Sequence, residues 1–216
     1  MKETTSKEQI LKRIRNANMH TSENTFNDVD LKSDIYPKIE DDLVVNFAEE
    51  LNKAGGHFVY CIDKTELEEN LRRLILGQKW GEVFTKHPAI SKILNSLDIE
   101  AHSTTSNMSD IKVSITDCEA LVARTGSVLI SSKQNSGRRL NFIPDTHVVI
   151  ANSSQIKDSI KNAIISLKEK YNGNQPSMTT LITGPSRTAD IEKTLVMGAH
   201  GPRSLIVFLT EEDLLN

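Results

Sequence analysis

Apolar residues recur along this chain at helical spacing in some stretches and as short continuous runs in others, and the two patterns alternate. Residues 6–18 place Ile10, Leu11, Ile14 and Ala17 on one stripe, which predicts a short amphipathic helix with Ser6 available as its N-cap. Residues 19–37 are polar, so the first helix reads as an arm on a long connection. Residues 41–54 carry Leu43, Val44, Phe47, Ala48 and Leu51 on one face and stop at Gly55-Gly56, as a helix closed by glycine does. Further helices are predicted over 64–76, over 88–97 from Pro88, and over 154–170. Between them, 57–62, 82–85, 120–123, 128–131, 146–151, 179–183 and 204–209 read as strands. The pair 120–123 and 128–131 is joined near Thr125-Gly126, and 179–183 with 204–209 is expected to close the sheet.

Strands alternating with helices predict an α/β fold, a mostly parallel sheet with helices on its faces. The expected organisation is an N-terminal helix-and-linker arm over 1–37 and an α/β domain over 38–216. A lone amphipathic helix must cover its stripe, against the body or against a second subunit in a homo-oligomer.

Composition narrows the classes. With 38% apolar and 25% charged residues, the 216-residue chain is too apolar to be disordered. Its 26 Lys and Arg against 29 Asp and Glu give a net charge of −3, which argues against nucleic acid as a partner. No apolar run approaches the roughly 20 residues of a membrane span, and residues 1–18 lack a signal-peptide core, so a cytoplasmic, soluble protein is expected. Cys61 and Cys118 are too few for an ordinary iron–sulfur cluster or a disulfide framework. The histidines show no metal-ligand spacing, so no metal site is predicted. P-loop, dinucleotide and nucleophile-elbow motifs are missing from the sequence.

The net charge conceals a local imbalance. Between Leu121 and Pro144 lie Arg124, Lys133, Arg138 and Arg139, with no acid among them. Arginine suits two-pronged recognition of carboxylate or phosphate, although a solvated basic face would look the same.

Three segments favour a small anionic ligand. Arg124-Thr125-Gly126-Ser127 is a tight connection where the backbone can approach a ligand, or an ordinary hairpin turn. Gly184-Pro185-Ser186-Arg187-Thr188-Ala189-Asp190-Ile191-Glu192 follows the 179–183 strand, and ligands of open α/β sheets sit beyond carboxyl strand ends. There Gly184, Ser186, Arg187 and Thr188 would cradle an anion, and Asp190 or Glu192 would position a polar group or take a proton. A capped helix start accounts for the hydroxyls and acids equally well, though not for Arg187. Gly198-Ala199-His200-Gly201-Pro202-Arg203 is a rigid loop presenting His200 and Arg203, with Gly201 between them. His200, Asp190 and Glu192 are the candidates for proton handling; no catalytic residue is assigned.

The Gly184–Glu192 and Gly198–Arg203 segments together resemble the C-terminal signature of the lactate utilization (LUD) domain family. Residues 6–15 resemble the opening helix of its lactate utilization protein C branch, and 120–130 its strand–Thr-Gly–strand element. The resemblance covers nearly the whole chain. It implies a three-layer α/β/α sandwich of the sugar-phosphate isomerase and CoA-transferase type. It also implies a role in a cytoplasmic system oxidising L-lactate to pyruvate, with two iron–sulfur proteins as partners and no cofactor in this chain. Where the family usually has Glu before Thr-Gly, this sequence has Arg124. The related CoA transferases use a Glu nucleophile, so Arg124 favours binding an anion over forming a covalent ester.

Two other classes remain open from sequence. One is a stand-alone isomerase, transferase or ligase acting on a phosphorylated or carboxylate substrate. The other is a non-catalytic assembly or regulatory subunit that docks through the 6–18 helix.

Overall fold

Asp42 opens the first helix of the α/β body: its carboxylate accepts the main-chain N–H of Val44 at 2.7 Å and of Val45 at 3.4 Å. The protein, described by a computed structural model over residues 5–19, 36–103, 110–191 and 194–215, divides by its contacts into Met1–Lys38 and Ile39–Asn216. The first unit holds helix α1 (Ser6–Met19). Thr5, one residue earlier than expected, is its cap. The Thr5 hydroxyl accepts the Glu8 N–H at 3.4 Å and the Glu8 carboxylate accepts the Thr5 N–H at 2.9 Å, a capping box. The polar connection that follows lies largely outside the described residues.

The second unit runs α2 (Leu43–Lys53), β1 (His57–Cys61), α3 (Lys64–Gly77), β2 (Val83–Phe84), α4 (Pro88–Ser96), β3 (Ala101–His102), β4 (Val113–Thr116), β5 (Ala120–Val122) and β6 (Ser127–Ser131). It continues with β7 (Thr146–Asn152), β8 (Ile156–Lys157), α5 (Ile160–Tyr171), β9 (Thr179–Ile182), β10 (Arg187–Ile191), β11 (Thr194–Met197) and β12 (Ser204–Thr210). Six strands form one sheet in the order β1-β12-β7-β4-β2-β3, and every pairing in it is parallel. This is the expected α/β architecture, a parallel sheet flanked by helices.

The central strands are apolar without alternation because both of their faces are covered. Val148 and Ile150 of β7 and Ile206 and Phe208 of β12 point to one side, where Leu67, Leu71 and Ile75 of α3 and Ile90, Ile93 and Leu94 of α4 pack on them. Their neighbours Val149, Ala151, Val207 and Leu209 point to the other side, as the two-residue period of a strand requires. There they meet Phe47 and Leu51 of α2, together with Leu121, Val128 and Ile130 of a second sheet. That second sheet, ordered β8-β5-β6-β9, fills the layer beside α2. Its outward residues Ala120, Val122 and Leu129 are covered by Ala163 and Leu167 of α5.

Three expectations change. The strand beginning at Thr179 pairs antiparallel with β6 in the second sheet and does not join the parallel one. The last helix begins at Ile160, because Asn152 and Gln155 close a capping box on a single 3-10 turn and Ile156–Lys157 then pairs with β5. Ser159 caps the helix proper, accepting the Asn162 N–H at 3.3 Å. The segment after Gly184 is a β-hairpin, β10 with β11, and not the start of a helix.

Candidate functional site

The Thr125-Gly126 turn and the Gly184 loop are both pressed against the last turn of α2. Gly126 has φ +57°, and a Cβ there would run into the main-chain nitrogen of Leu51. Gly184 has φ +75°, and a Cβ there would strike the carbonyl oxygen of Ala54. Both positions combine the left-handed backbone with a close approach to main chain, so a side chain fails on two counts. The approach aligns three hydroxyls: Thr125 Oγ1 and Ser127 Oγ lie 2.7 Å apart, and Ser127 Oγ and Thr183 Oγ1 also 2.7 Å. Arg187, just past this turn, donates to the Ala54 carbonyl, one of the acceptors a helix end leaves without an internal partner. An arginine among small polar residues thereby gains a structural task that the sequence did not disclose.

The second loop folds onto the first. The Ser186 N–H donates to the Pro202 carbonyl at 2.8 Å, and the Gly198 N–H to the Ser186 carbonyl at 2.9 Å. Gly201 sits against the Ser186 side chain, which explains the small residue there. Gly184, Ser186, Arg187, Gly201 and Arg203 are therefore brought into one loop cluster, with Thr125 and Gly126 on its α2 side. Both arginine side chains are exposed, as is His200. Thr188 sits in β10 opposite Val196. Arg124 is half-buried, its N–H on the Asp158 carbonyl at 3.2 Å. Asp190 lies in β10 with its side chain outside the described residues, and Glu192 is outside them entirely.

This cluster does not occupy the carboxyl edge of the parallel sheet. Arg203 immediately precedes β12, and its N–H donates at 2.7 Å to the carbonyl of Asp145, the residue before β7. The loop is thus at the amino ends of these strands. Since β9 belongs to the antiparallel sheet, the rule that places ligands beyond carboxyl strand ends does not locate a site at Gly184.

At the carboxyl edge the chain places a different set of groups. A cleft of about 430 Å³ is lined there by His87, Asp117, Lys133, Gln134, Lys170 and Tyr171, among others. An adjoining hollow of about 260 Å³ shares His87, Asp117 and Lys170 with it and reaches Glu119, Asn152 and Gln155. Glu119 is the anchor of this region, with its side chain only 1% exposed. It accepts from Ser131 Oγ at 2.5 Å, Tyr171 Oη at 2.7 Å and Lys170 Nζ at 2.7 Å, the saturation a buried carboxylate needs. Burial draws the Lys170 amine down, but its hydrogen bond and charge attraction to Glu119 outweigh this and leave its pKa raised. Burial, followed by the bond to Glu119, holds the Tyr171 phenol above its usual value. The sequence signal was Asp117 and Glu119 directly after a strand, concealed because β4 is only four residues long.

His147, in β7, is fully buried with Nε2 2.8 Å from Thr116 Oγ1, and burial pushes its pKa down to about 3. It is a neutral, structural imidazole. Among the described residues no group of three or more His, Cys, Asp or Glu is arranged to hold a metal ion. Among them, too, no helix is long and apolar enough to cross a membrane.

With this geometry in view, the chain can be set beside known proteins. A Neisseria meningitidis protein, NMB1437, is 40% identical over 86 residues, covering 40% of this chain and 36% of its own. Lactate utilization protein C of Geobacillus kaustophilus is 36% identical over 150 residues, 68% of this chain and 60% of that protein. The Bacillus subtilis protein of the same name is 38% identical over 92 residues, 42% of this chain and 38% of its own. The matches thus span less than two thirds of each of these relatives. A solved structure of a DUF162 family protein from Deinococcus radiodurans shares the fold at a TM-score of 0.58 and 16% identity, over 78% of this chain and 96% of that one. The sequence model of the LUD domain matches residues 44–210, from the first turn of α2 to the end of β12, and the chain belongs to the LUD domain family.

Proposed function

We propose that this protein serves a cytoplasmic lactate utilization system as the subunit that binds a small anionic ligand at its arginine- and glycine-rich loops. Oxidation of L-lactate to pyruvate would then rely on iron–sulfur proteins that work with it. Support for the pathway comes from the LUD domain itself and from relatives named lactate utilization protein C. Support for the division of labour comes from the cysteines. Cys61 and Cys118 are free and buried, and burial raises the pKa of both thiols, the opposite of what a cluster-ligating thiolate requires.

One observation carries the anion site. The hydrogen bonds from Ser186 to Pro202 and from Gly198 to Ser186 tie the loops bearing Arg187 and Arg203 together, so two exposed guanidinium groups share one small-residue platform. Arginines so grouped suit a carboxylate or phosphate.

Arg203 gives the cleaner test, because Arg187 also braces α2. The purified chain is melted with and without L-lactate, pyruvate and inorganic phosphate. The wild type should gain stability with at least one of them, and Arg203→Ala should reduce that gain while its ligand-free melting temperature stays put. An undiminished gain in Arg203→Ala rejects the loop site. Recovery of the chain from its host without cysteine-rich partners rejects the complex.

A further inference from the structure

We infer that the cleft at the carboxyl edge of the parallel sheet is a second binding site, shaped for a small anion that carries a hydroxyl group beside its charged end. This stands apart from the loop-cluster reading and involves none of its residues.

Two buried side chains in the cleft wall have polar atoms unmatched among the described residues. Gln134 is 8% exposed, and its Oε1 is fixed by the Ser131 N–H at 2.7 Å. With that end pinned, the amide nitrogen has its orientation set, yet it has no hydrogen-bond partner among the described residues. His87 is 7% exposed, and its Nδ1 is likewise unmatched among them. Buried polar atoms are nearly always paired, so two in one cleft wall mark a place where something else supplies the partner. The amide nitrogen of Gln134 can only donate, so what it lacks is an acceptor.

The electrostatics of the cleft point the same way. His87 precedes α4 without capping it by a side chain, and Pro88 and Ala89 of its first turn line the cleft. An uncapped helix start presents partial positive charge. Lys92, one turn further along α4, and Lys133, on the opposite loop, add two full positive charges. Lys170 is matched by Glu119, which leaves Asp117 as the acid facing Lys92 and Lys133. The balance favours an anion.

Asp117 supplies the second half of the specification. Ser136 Oγ donates to its Oδ1 at 3.1 Å, which steadies the carboxylate in the cleft wall. A carboxylate cannot bind an anion's charged end, but it accepts readily from a hydroxyl. A 2-hydroxycarboxylate or a small hydroxylated phosphate ester meets both demands: its charged oxygens face Gln134 and Lys133, and its hydroxyl faces Asp117. A cleft of about 430 Å³ admits either.

The test is calorimetric titration of the purified chain with four probes in two pairs, L-lactate against propionate and glycerol 3-phosphate against inorganic phosphate. The hydroxylated member of at least one pair should bind more tightly, and the pair that responds identifies carboxylate or phosphate as the charged end. Gln134→Glu retains the acceptor for Ser131 while removing the donor, and it should weaken binding by about tenfold or more. Asp117→Asn should erase the preference for the hydroxylated probe, and Arg203→Ala should leave binding in the cleft intact. Failure of all four probes to bind the wild type overturns the inference. So does full affinity in Gln134→Glu, or a hydroxyl preference that survives in Asp117→Asn. Loss of binding in Arg203→Ala with normal binding in Gln134→Glu assigns the anion to the loop cluster and also overturns it.

Discussion

The guanidinium of Arg187 donates to the main-chain carbonyl oxygen of Ala54, the C-cap residue of α2, across 133 positions of sequence. The bond joins the start of the β10–β11 hairpin to the helix that covers one face of the parallel sheet. Arg187→Ala should therefore cost about 1–2 kcal/mol of stability in urea unfolding, the value of one charge-assisted hydrogen bond. Arg203→Ala, which breaks no side-chain hydrogen bond or ion pair among the described residues, should stay within about 0.5 kcal/mol of the wild type. Equal stabilities for the two variants would show that the Ala54 contact contributes nothing.

Gly184 and Gly126 should be the least replaceable glycines near these loops, and Gly137 provides the control. Gly137 also has a positive φ, +63°, but a Cβ there meets nothing within 4 Å. Gly137→Ala should cost roughly 1–2 kcal/mol from backbone strain alone. Gly184→Ala and Gly126→Ala add overlap with α2 main chain and should each cost at least about 3 kcal/mol. Denaturant midpoints for the three variants decide the matter, and equal losses would mean that α2 yields to the added methyl.

How much of this was legible in the sequence depended on range. The helices α2, α3 and α4 were readable because their apolar stripes are local, as are the glycines that follow α2 and end α3 and the proline that starts α4. Strands β7 and β12 were readable because burial on both faces leaves them as unbroken apolar runs. What eluded the sequence was decided by distant partners. Ile156 and Ile160 are four apart and fit one helical stripe, yet Ile156 pairs with Leu121 in a sheet and only Ile160 is helical. The strand at Thr179 was visible as a strand, but its partner is β6, and that membership determines which edge of the molecule Gly184 occupies. The loop motifs stood out through their glycines and arginines. The cleft residues His87, Asp117, Gln134 and Lys170 come from four separate segments, and only the folded sheet edge assembles them.

The Glu119 cluster makes an asymmetric prediction. Lys170 is 57% exposed at its side chain and Glu119 only 1%, so removing either partner has different consequences. Lys170→Met strands a buried carboxylate with two hydroxyl donors, and it should cost about 2 kcal/mol after allowance for the solvent on the lysine side. Tyr171→Phe should cost about 1.5 kcal/mol, one hydrogen bond to a charged acceptor. A Lys170→Met variant as stable as the wild type would mean that Glu119 finds another cation.

His147 predicts how stability responds to acid. Its imidazole titrates near 6.5 when the chain is unfolded, but burial lowers the folded value to about 3. Between those values the unfolded chain binds a proton that the folded chain refuses, so acid favours unfolding. The contribution is fully present above pH 6.5 and is lost progressively as the pH falls towards 3, at up to about 1.4 kcal/mol per pH unit. Carboxylates titrate in the same range, so the wild-type curve alone does not isolate the histidine. His147→Gln keeps a polar group beside Thr116 Oγ1 but has no proton to gain. It should begin less stable at pH 7 and lose less between pH 6.5 and pH 5, where most carboxylates are still charged. Parallel stability curves for wild type and variant across that interval would mean that His147 takes up its proton without unfolding the sheet.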